Sequence, residues 1–230
     1  MKILFIGNSH TYMNDMPELT RRMIEDATGD SCEVFMLAYS SRSLKWHIEE
    51  EYFSERFNIL HGKYDYCVIQ EQAHPMTDES DTIKYTTKIV ELCKKVNTVP
   101  VIFETWAEKA KPENQTEMNR RYRALAERLG VLLAPIGEVW SNVLGAGNIE
   151  LYFRDGEHAS AIGDFLIAMV LTKTITGKLP DEKFCTALDF TVPLEFQPVK
   201  EDTSEEEIIL DSRIVSIIRE NVQKVFGNKV

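Results

Sequence analysis

The first apolar run of the chain, residues 3–6, stops at Gly7. A short apolar run closed by glycine predicts a buried strand entering a turn. Asn14 or Asp15 then stands where a cap belongs, ahead of a helix with Pro17 and Glu18 in its first turn. Leu19, Met23, Ile24 and Ala27 recur at helical spacing, and Gly29 closes that helix. Residues 32–38 predict a second strand, residues 39–43 a loop, and Leu44, His47, Ile48 and Tyr52 a further helix. Tyr66–Ile69 predicts a third strand, which runs into a polar tip containing Gln70, Gln72, His74 and Pro75.

Ile83, Thr86, Ile89, Val90, Cys93 and Val96 share one helical face, and residues 99–104 predict a fourth strand with Pro100 tolerated near its start. Met118, Tyr122, Leu125 and Leu129 line a helix that ends at Gly130, and residues 131–134 predict a fifth strand. Strands alternating with amphipathic helices predict a parallel sheet covered on both faces, a three-layer α/β/α sandwich with five strands. Residues 137–144 read as a short helix or turn, and Ser160 caps a helix running to Thr176 with Gly177 at its end. Residues 179–202 look extended, interrupted by Pro180, Pro193 and Pro198. Ser204 with Glu207 forms a capping-box pattern, so the Glu205–Glu207 run reads as the start of a last helix carrying Ile208, Val215, Ile218 and Val222. The expected organisation is one α/β domain over residues 1–178. A C-terminal extension over 179–230, an extended segment plus a helix, is expected to pack on it.

Composition narrows the function. The chain has 230 residues, a formal net charge of −11 and a pI near 5.0, which argues against a nucleic-acid footprint and against a basic membrane-surface helix. No run approaches the ~20 apolar residues of a membrane span, and the first residues do not form a secretory signal. Cys32, Cys67, Cys93 and Cys185 are widely spaced with no CxxC pair, a pattern that fits reduced, buried thiols and a cytoplasmic location. At this length a core needs no disulfide or metal staple.

The residues that can do chemistry lie far apart in the chain. Ser9 follows the first strand on a turn opened by Gly7, while Asp155 and His158 stand three residues apart on a loop with Gly156 between them. A serine hydroxyl is a weak nucleophile until a base takes its proton, and a carboxylate must hold that base in one tautomer. Taken singly, Ser9 also reads as a turn serine and Asp155/His158 as a surface pair; the conjunction makes them candidates. Metal ligands to accompany the Asp/His pair are not evident nearby. His10, His74 and Trp106 are candidates for the substrate pocket, while His47 and Trp46 read more simply as packing. Gly7-Asn8-Ser9-His10 supplies neither GxGxxG nor a Walker-type lysine, so a nucleotide site has little support.

Together these residues resemble the SGNH, or GDSL-like, serine hydrolase family. Phe5-Ile6-Gly7-Asn8-Ser9 looks like its first block, with Asn8 where many members have Asp. Asp155-Gly156-Glu157-His158, followed by Ser160 and Gly163, looks like its last block. The chain is similar to a bacterial branch that carries Gly-Asn-Ser and Gln-Glu-Gln sequences. The resemblance implies a flavodoxin-like sandwich with Ser9 as nucleophile, His158 as general base and then acid, and Asp155 orienting the histidine. It also implies an oxyanion hole made by the Ser9 N–H, an N–H of the second block and a side-chain amide of the third. The second block's usual glycine is replaced here within Ser40-Ser41-Arg42-Ser43-Leu44, so Ser41, or alternatively Ser40, must adopt the needed turn. Gln72 stands in for the third block's asparagine, with Gln70 as the alternative and His74 in another register. The implied activity is metal-independent and cofactor-free hydrolysis of a small-molecule carboxylic ester, with short acyl or acetyl esters, those on carbohydrates included, as first substrates. The alternative is a catalytically degenerate module of the same fold that binds a sugar or acyl ligand. The resemblance leaves the oligomeric state open.

Overall fold

The computed structural model describes residues 1–72, 79–186, 191–193, 205–207 and 210–227. Five parallel strands, β1 (Lys2–Gly7), β2 (Glu33–Ala38), β3 (Tyr66–Ile69), β4 (Val99–Phe103) and β5 (Leu132–Ala134), pair in the order β2-β1-β3-β4-β5. That is the flavodoxin-like order, and its topological switch lies between β1 and β3. β1 shows why two faces are covered. Ile3 and Phe5 point into one apolar cluster, Leu4 and Ile6 into another, and all four are at most 1 % exposed. Alternation of side chains across a strand that is apolar throughout can be satisfied only by helices on both sides.

On the Ile3/Phe5 face lie α2 (Met16–Thr28), α7 (Ile136–Ala146), α8 (Ala161–Thr176) and α10 (Ser212–Gly227). On the other face lie α3 (Leu44–Glu49), α4 (Tyr52–His61), α5 (Glu79–Lys95) and α6 (Asn114–Leu129). Two short helices complete the set, α1 (Ser9–Tyr12) and α9 (Glu182–Thr186). α8 is buried on nearly every side, from Phe165 through Thr172 without interruption, as expected of a helix apolar all round. Its first turn is fastened by Ser160, whose Oγ accepts from the Gly163 amide at 3.1 Å.

Three expectations are corrected and one is narrowed. The helix expected through Leu44, His47, Ile48 and Tyr52 is two helices, α3 and α4, with a break at Glu50 and Glu51. Three successive glutamates, Glu49–Glu51 in sequence, crowd negative charge at the carbonyl end of α3, where the helix dipole disfavours it. Of the short helix or turn expected over 137–144, the helix is found, extended to residues 136–146, because Ile136, Val139, Trp140 and Val143 bury one stripe in the core and override Gly137 and Gly145. Residues 182–186, expected to be extended, form α9. Finally, Glu205–Glu207 is a strand, β7, paired antiparallel with β6 (Thr191–Pro193), and not the start of the last helix. α10 begins only at Ser212, where the Asp211 carboxylate accepts from the Arg213 amide at 2.8 Å. Ser204 and Ile208 lie outside the described residues. Val215, Ile218, Val222 and Val225 of α10 are buried against the core that α7 and α8 share.

Candidate active site

The switch point between β1 and β3 positions the site. β1 ends at Gly7, and the chain turns at once into α1, whose first residue is Ser9. The turn is tight enough to require glycine: a Cβ on residue 7 would stand 2.3 Å from Thr11 Oγ1 and 2.5 Å from Gln70 Oε1. Asn8 organises it. Its Oδ1 accepts from the His10 amide at 3.1 Å, capping α1. Its Nδ2 donates to the Arg42 carbonyl at 3.0 Å, tying the turn to the loop before α3. Its backbone N–H donates to Gln70 Oε1 at 2.9 Å, and Thr11 Oγ1 donates to the same oxygen at 2.9 Å.

Ser9 Oγ lies 2.8 Å from His158 Nε2, and His158 Nδ1 lies 2.8 Å from Asp155 Oδ2. The other oxygen, Asp155 Oδ1, accepts from the amides of Glu157 (2.9 Å) and His158 (3.0 Å). Gly156, between these residues, takes φ +74°, a left-handed conformation that closes the loop on itself. Burial by itself would raise the Asp155 pKa, but the Glu157 amide, the His158 ring and the His158 amide outweigh it and hold the carboxyl below its ordinary range. An ionised Asp155 can only accept, so His158 Nδ1 carries the proton. That assignment leaves the Nε2 lone pair facing the Ser9 hydroxyl. Chemically, the arrangement can take a proton from Ser9 and keep the resulting imidazolium paired.

A pocket of about 160 Å³ opens beside Ser9, lined by Asn8, Ser9, His10, Ser41, Gln72, Glu157 and His158. This is below the ~300–1,000 Å³ of typical small-molecule sites. A larger cleft, about 660 Å³, lies against Tyr152, Phe153, Arg154, Asp155, Gly156 and Glu157 together with Glu108, Lys109, Ala110 and Glu150. Glu157 lines both.

The remaining predicted residues separate. Ser41 lines the small pocket and takes φ +59°, the left-handed conformation a glycine would supply, whereas Ser40 does not line it. Gln72 is exposed and lines the pocket. Gln70, its alternative, is 1 % exposed and points back under the Ser9 turn, its Nε2 donating to the Glu71 carbonyl. Alternation along an extended tip would put the two glutamines on one face, but the strand ends at Ile69 and alternation ends with it. His10 lines the pocket and stacks on His158 with ring centroids 4.1 Å apart and planes 12° apart. Trp106 is corrected as a substrate platform. It is fully buried, its Nε1 donates to the Glu157 carbonyl at 2.9 Å, and it packs between Trp140 (stacked, 4.3 Å) and the edge of His10 (5.4 Å). His74 lies outside the described residues. His47 is fully buried and does not reach the pocket.

Sequence reasoning missed Asn8 as an organiser and missed Glu71. Glu71, 7 % exposed, accepts through Oε1 from the amides of Leu44 (3.0 Å) and Gln72 (2.7 Å). It thus ties the tip of β3 to the start of α3, with its pKa raised by burial against those hydrogen bonds. The available signal was a carboxylate set between two glutamines directly after a buried strand. Among the described residues, no three His, Cys, Asp or Glu side chains are grouped to hold a metal ion, and no helix is long and apolar enough to cross a membrane.

No protein-family model matches the chain, and no curated protein matches it in sequence. Solved structures do match. A protein from Slackia heliotrinireducens assigned to the SGNH hydrolases is 26 % identical, with a TM-score of 0.65 over 76 % of this chain and 98 % of that one. TesA is 13 % identical with a TM-score of 0.61, over 77 % of this chain and 99 % of its own. An acetylxylan esterase from Geobacillus stearothermophilus is 14 % identical with a TM-score of 0.62, over 76 % and 94 %. Two structures of that esterase are described as catalytic mutants, one at an aspartate and one at a histidine three positions later. By its fold the chain is SGNH-hydrolase-like.

Proposed function

We propose that the chain is a serine hydrolase that cleaves carboxylic esters of short acyl groups through an acyl-enzyme on Ser9. The observation that carries this reading is the continuous relay from Ser9 Oγ to His158 Nε2 and from His158 Nδ1 to Asp155, with both links at 2.8 Å. The spacing of catalytic aspartate and histidine in the esterase from Geobacillus stearothermophilus, which equals that of Asp155 and His158, supports it.

In the first half-reaction Ser9 Oγ bonds to the ester carbonyl carbon while its proton passes to His158 Nε2. Negative charge gathers on the former carbonyl oxygen, where the Ser9 and Ser41 amides and the Gln72 side chain are the proposed donors. Each such donor can contribute ~3 kcal/mol of transition-state stabilisation. Collapse breaks the bond to the alcohol, which leaves with the proton from His158. Water then adds to the acyl carbon, gives a proton to His158, and releases the acid as Ser9 takes the proton back. No metal or cofactor enters this scheme. The pocket of about 160 Å³ beside Ser9 fits an acetyl or other short acyl group.

The alternative, a binding module of the same fold, rests on the glycine-free second block and on the missing third-block asparagine. Ser41 in a left-handed conformation can present its amide without glycine, which supports the catalytic reading. A fluorophosphonate probe should label Ser9, and Ser9→Ala should abolish both labelling and hydrolysis of p-nitrophenyl acetate. Undiminished turnover in Ser9→Ala would sink the proposal. Ligand binding by a wild-type protein that resists the probe would favour the module.

A further inference from the structure

Ser9 and His158 are 149 residues apart in sequence, so their distance depends on what joins their two segments. The loop bearing His158 is anchored on its own side. The Phe153 amide donates to the His158 carbonyl at 2.8 Å, Tyr152 bridges to Ala159, and Trp106 holds the Glu157 carbonyl. Toward the nucleophile's segment, His10 meets His158 and Trp106 by ring contact alone. Directional hydrogen bonds across that gap, beyond the Ser9–His158 pair itself, come from Asn14.

Asn14 sits between α1 and α2 with φ +51°, ψ +26°, and Asp15 follows with φ +51°. Two consecutive non-glycine residues in the left-handed region are a costly way to start a helix. The Asp15 side chain makes no capping bond that would offset it. The conformation instead delivers the Asn14 side chain into the protein. It is 8 % exposed, and its Nδ2 donates twice, to the Ala159 carbonyl at 3.1 Å and to Asp164 Oδ2. Ala159 is bonded to His158, and Asp164 is 1 % exposed in the first turn of α8.

We propose that Asn14, oriented by Asp164, is a positioning residue that sets the separation of Ser9 and His158 by clamping the carbonyl next to the histidine. Asn14 touches neither substrate nor the reacting atoms; it acts through Ala159. Burial holds the Asp164 carboxyl well above its ordinary range, so it stays neutral and offers one oxygen to Asn14. Its other oxygen, Oδ1, has no partner among the described residues. An asparagine at 164 would reproduce that arrangement.

The inference rests on the proposed hydrolase activity, and the test separates the two. Asn14→Ala, Asp164→Ala and Asp164→Asn would be compared with wild type for p-nitrophenyl acetate hydrolysis, fluorophosphonate labelling rate and thermal stability, all in the full chain. Misplacement of a catalytic group by ~1 Å costs on the order of 100-fold. Asn14→Ala and Asp164→Ala should therefore lose roughly 10- to 100-fold in kcat and in labelling rate, with KM within about twofold. Asp164→Asn should restore both to within about threefold of wild type. A crystal structure of Asn14→Ala should show Ser9 Oγ and His158 Nε2 beyond hydrogen-bond reach, a readout that stands even if the wild type proves inactive. Folded Asn14→Ala with wild-type kcat, labelling and Ser9–His158 distance overturns the clamp, since a merely structural role would lower stability alone. Should Asn14→Ala not fold, the Asp164 pair decides: equal damage from alanine and asparagine refutes the proposal.

Discussion

Two imidazole–carboxyl pairs flank the end of β1, and they have opposite characters. His158 bonds Asp155 through Nδ1 and faces the Ser9 hydroxyl through Nε2. His47 bonds Glu55 through Nδ1 and faces the Gly7 carbonyl through Nε2. A carbonyl only accepts, so His47 must carry its proton on Nε2, the nitrogen that His158 keeps bare. The carboxyls differ accordingly. Asp155, with a side chain 30 % exposed and three N–H donors, is held low and ionised. Glu55, fully buried, is pushed up by desolvation, which outweighs its bond to His47, and its Oε2 has no partner among the described residues. An imidazole paired with a carboxyl therefore presents a bare nitrogen to Ser9 in one place and forms a strut in the other. What decides is the partner of Nε2 and the hydration of the carboxyl.

Four outcomes would break or sharpen this contrast. The largest is at the proposed base: Ser9→Ala and His158→Ala should each lower kcat by ~10⁴-fold or more, and the double variant should be no worse, because the pair acts as a unit. His158→Ala should also abolish the rise of kcat/KM with pH that a histidine base produces. His47→Ala should instead lower stability, by about 1–3 kcal/mol for each group it strands, a buried carboxyl and a buried carbonyl. Denaturant unfolding measures this. Loss of labelling by His47→Ala equal to that of His158→Ala, without loss of stability, would erase the distinction. Gln72→Ala should cost ~100-fold in kcat with little change in KM if its amide serves the oxyanion; steady-state kinetics at fixed pH would show it.

The smallest effect is in pH dependence, and the two carboxyls should have opposite signs. Asp155 is depressed in the folded chain, so below about pH 4 the unfolded chain binds its proton first and stability falls on acidification. Glu55 is raised, so from about pH 4 upward the folded chain holds a proton the unfolded chain has released, and stability falls as pH rises. The Tm advantage of wild type over Asp155→Asn should shrink toward acid, and that over Glu55→Gln should shrink toward alkali. Parallel trends would mean that the carboxyls are not in different states.

Much of the architecture was legible because it is written in short-range periods. The run closed by Gly7, the helical stripes of α5 and α6 and the Ser160 cap with Gly177 each depend on neighbours within a few positions. Ser9 and the Asp155/His158 pair were legible as candidates for the same reason, since each sits in its own short motif. The misreadings came where a distant partner overrode a local preference. Glu205–Glu207 carries a helix-start pattern, yet its backbone is claimed by Thr191–Pro193. Gln70 and Gln72 look equivalent by alternation until Asn8 and Thr11, about sixty positions earlier, claim one of them.

By itself the sequence determined the alternation of strands and helices, the layers that follow from it, and the residue types able to activate a hydroxyl. Only the tertiary structure decided how near His158 comes to Ser9, which glutamine faces the pocket, and how Asn14 reaches Ala159 and Asp164. The physical reason is that hydrophobic period and capping act over one or two turns of chain. Protonation state and hydrogen-bond pairing depend instead on burial and on groups brought together across 150 positions.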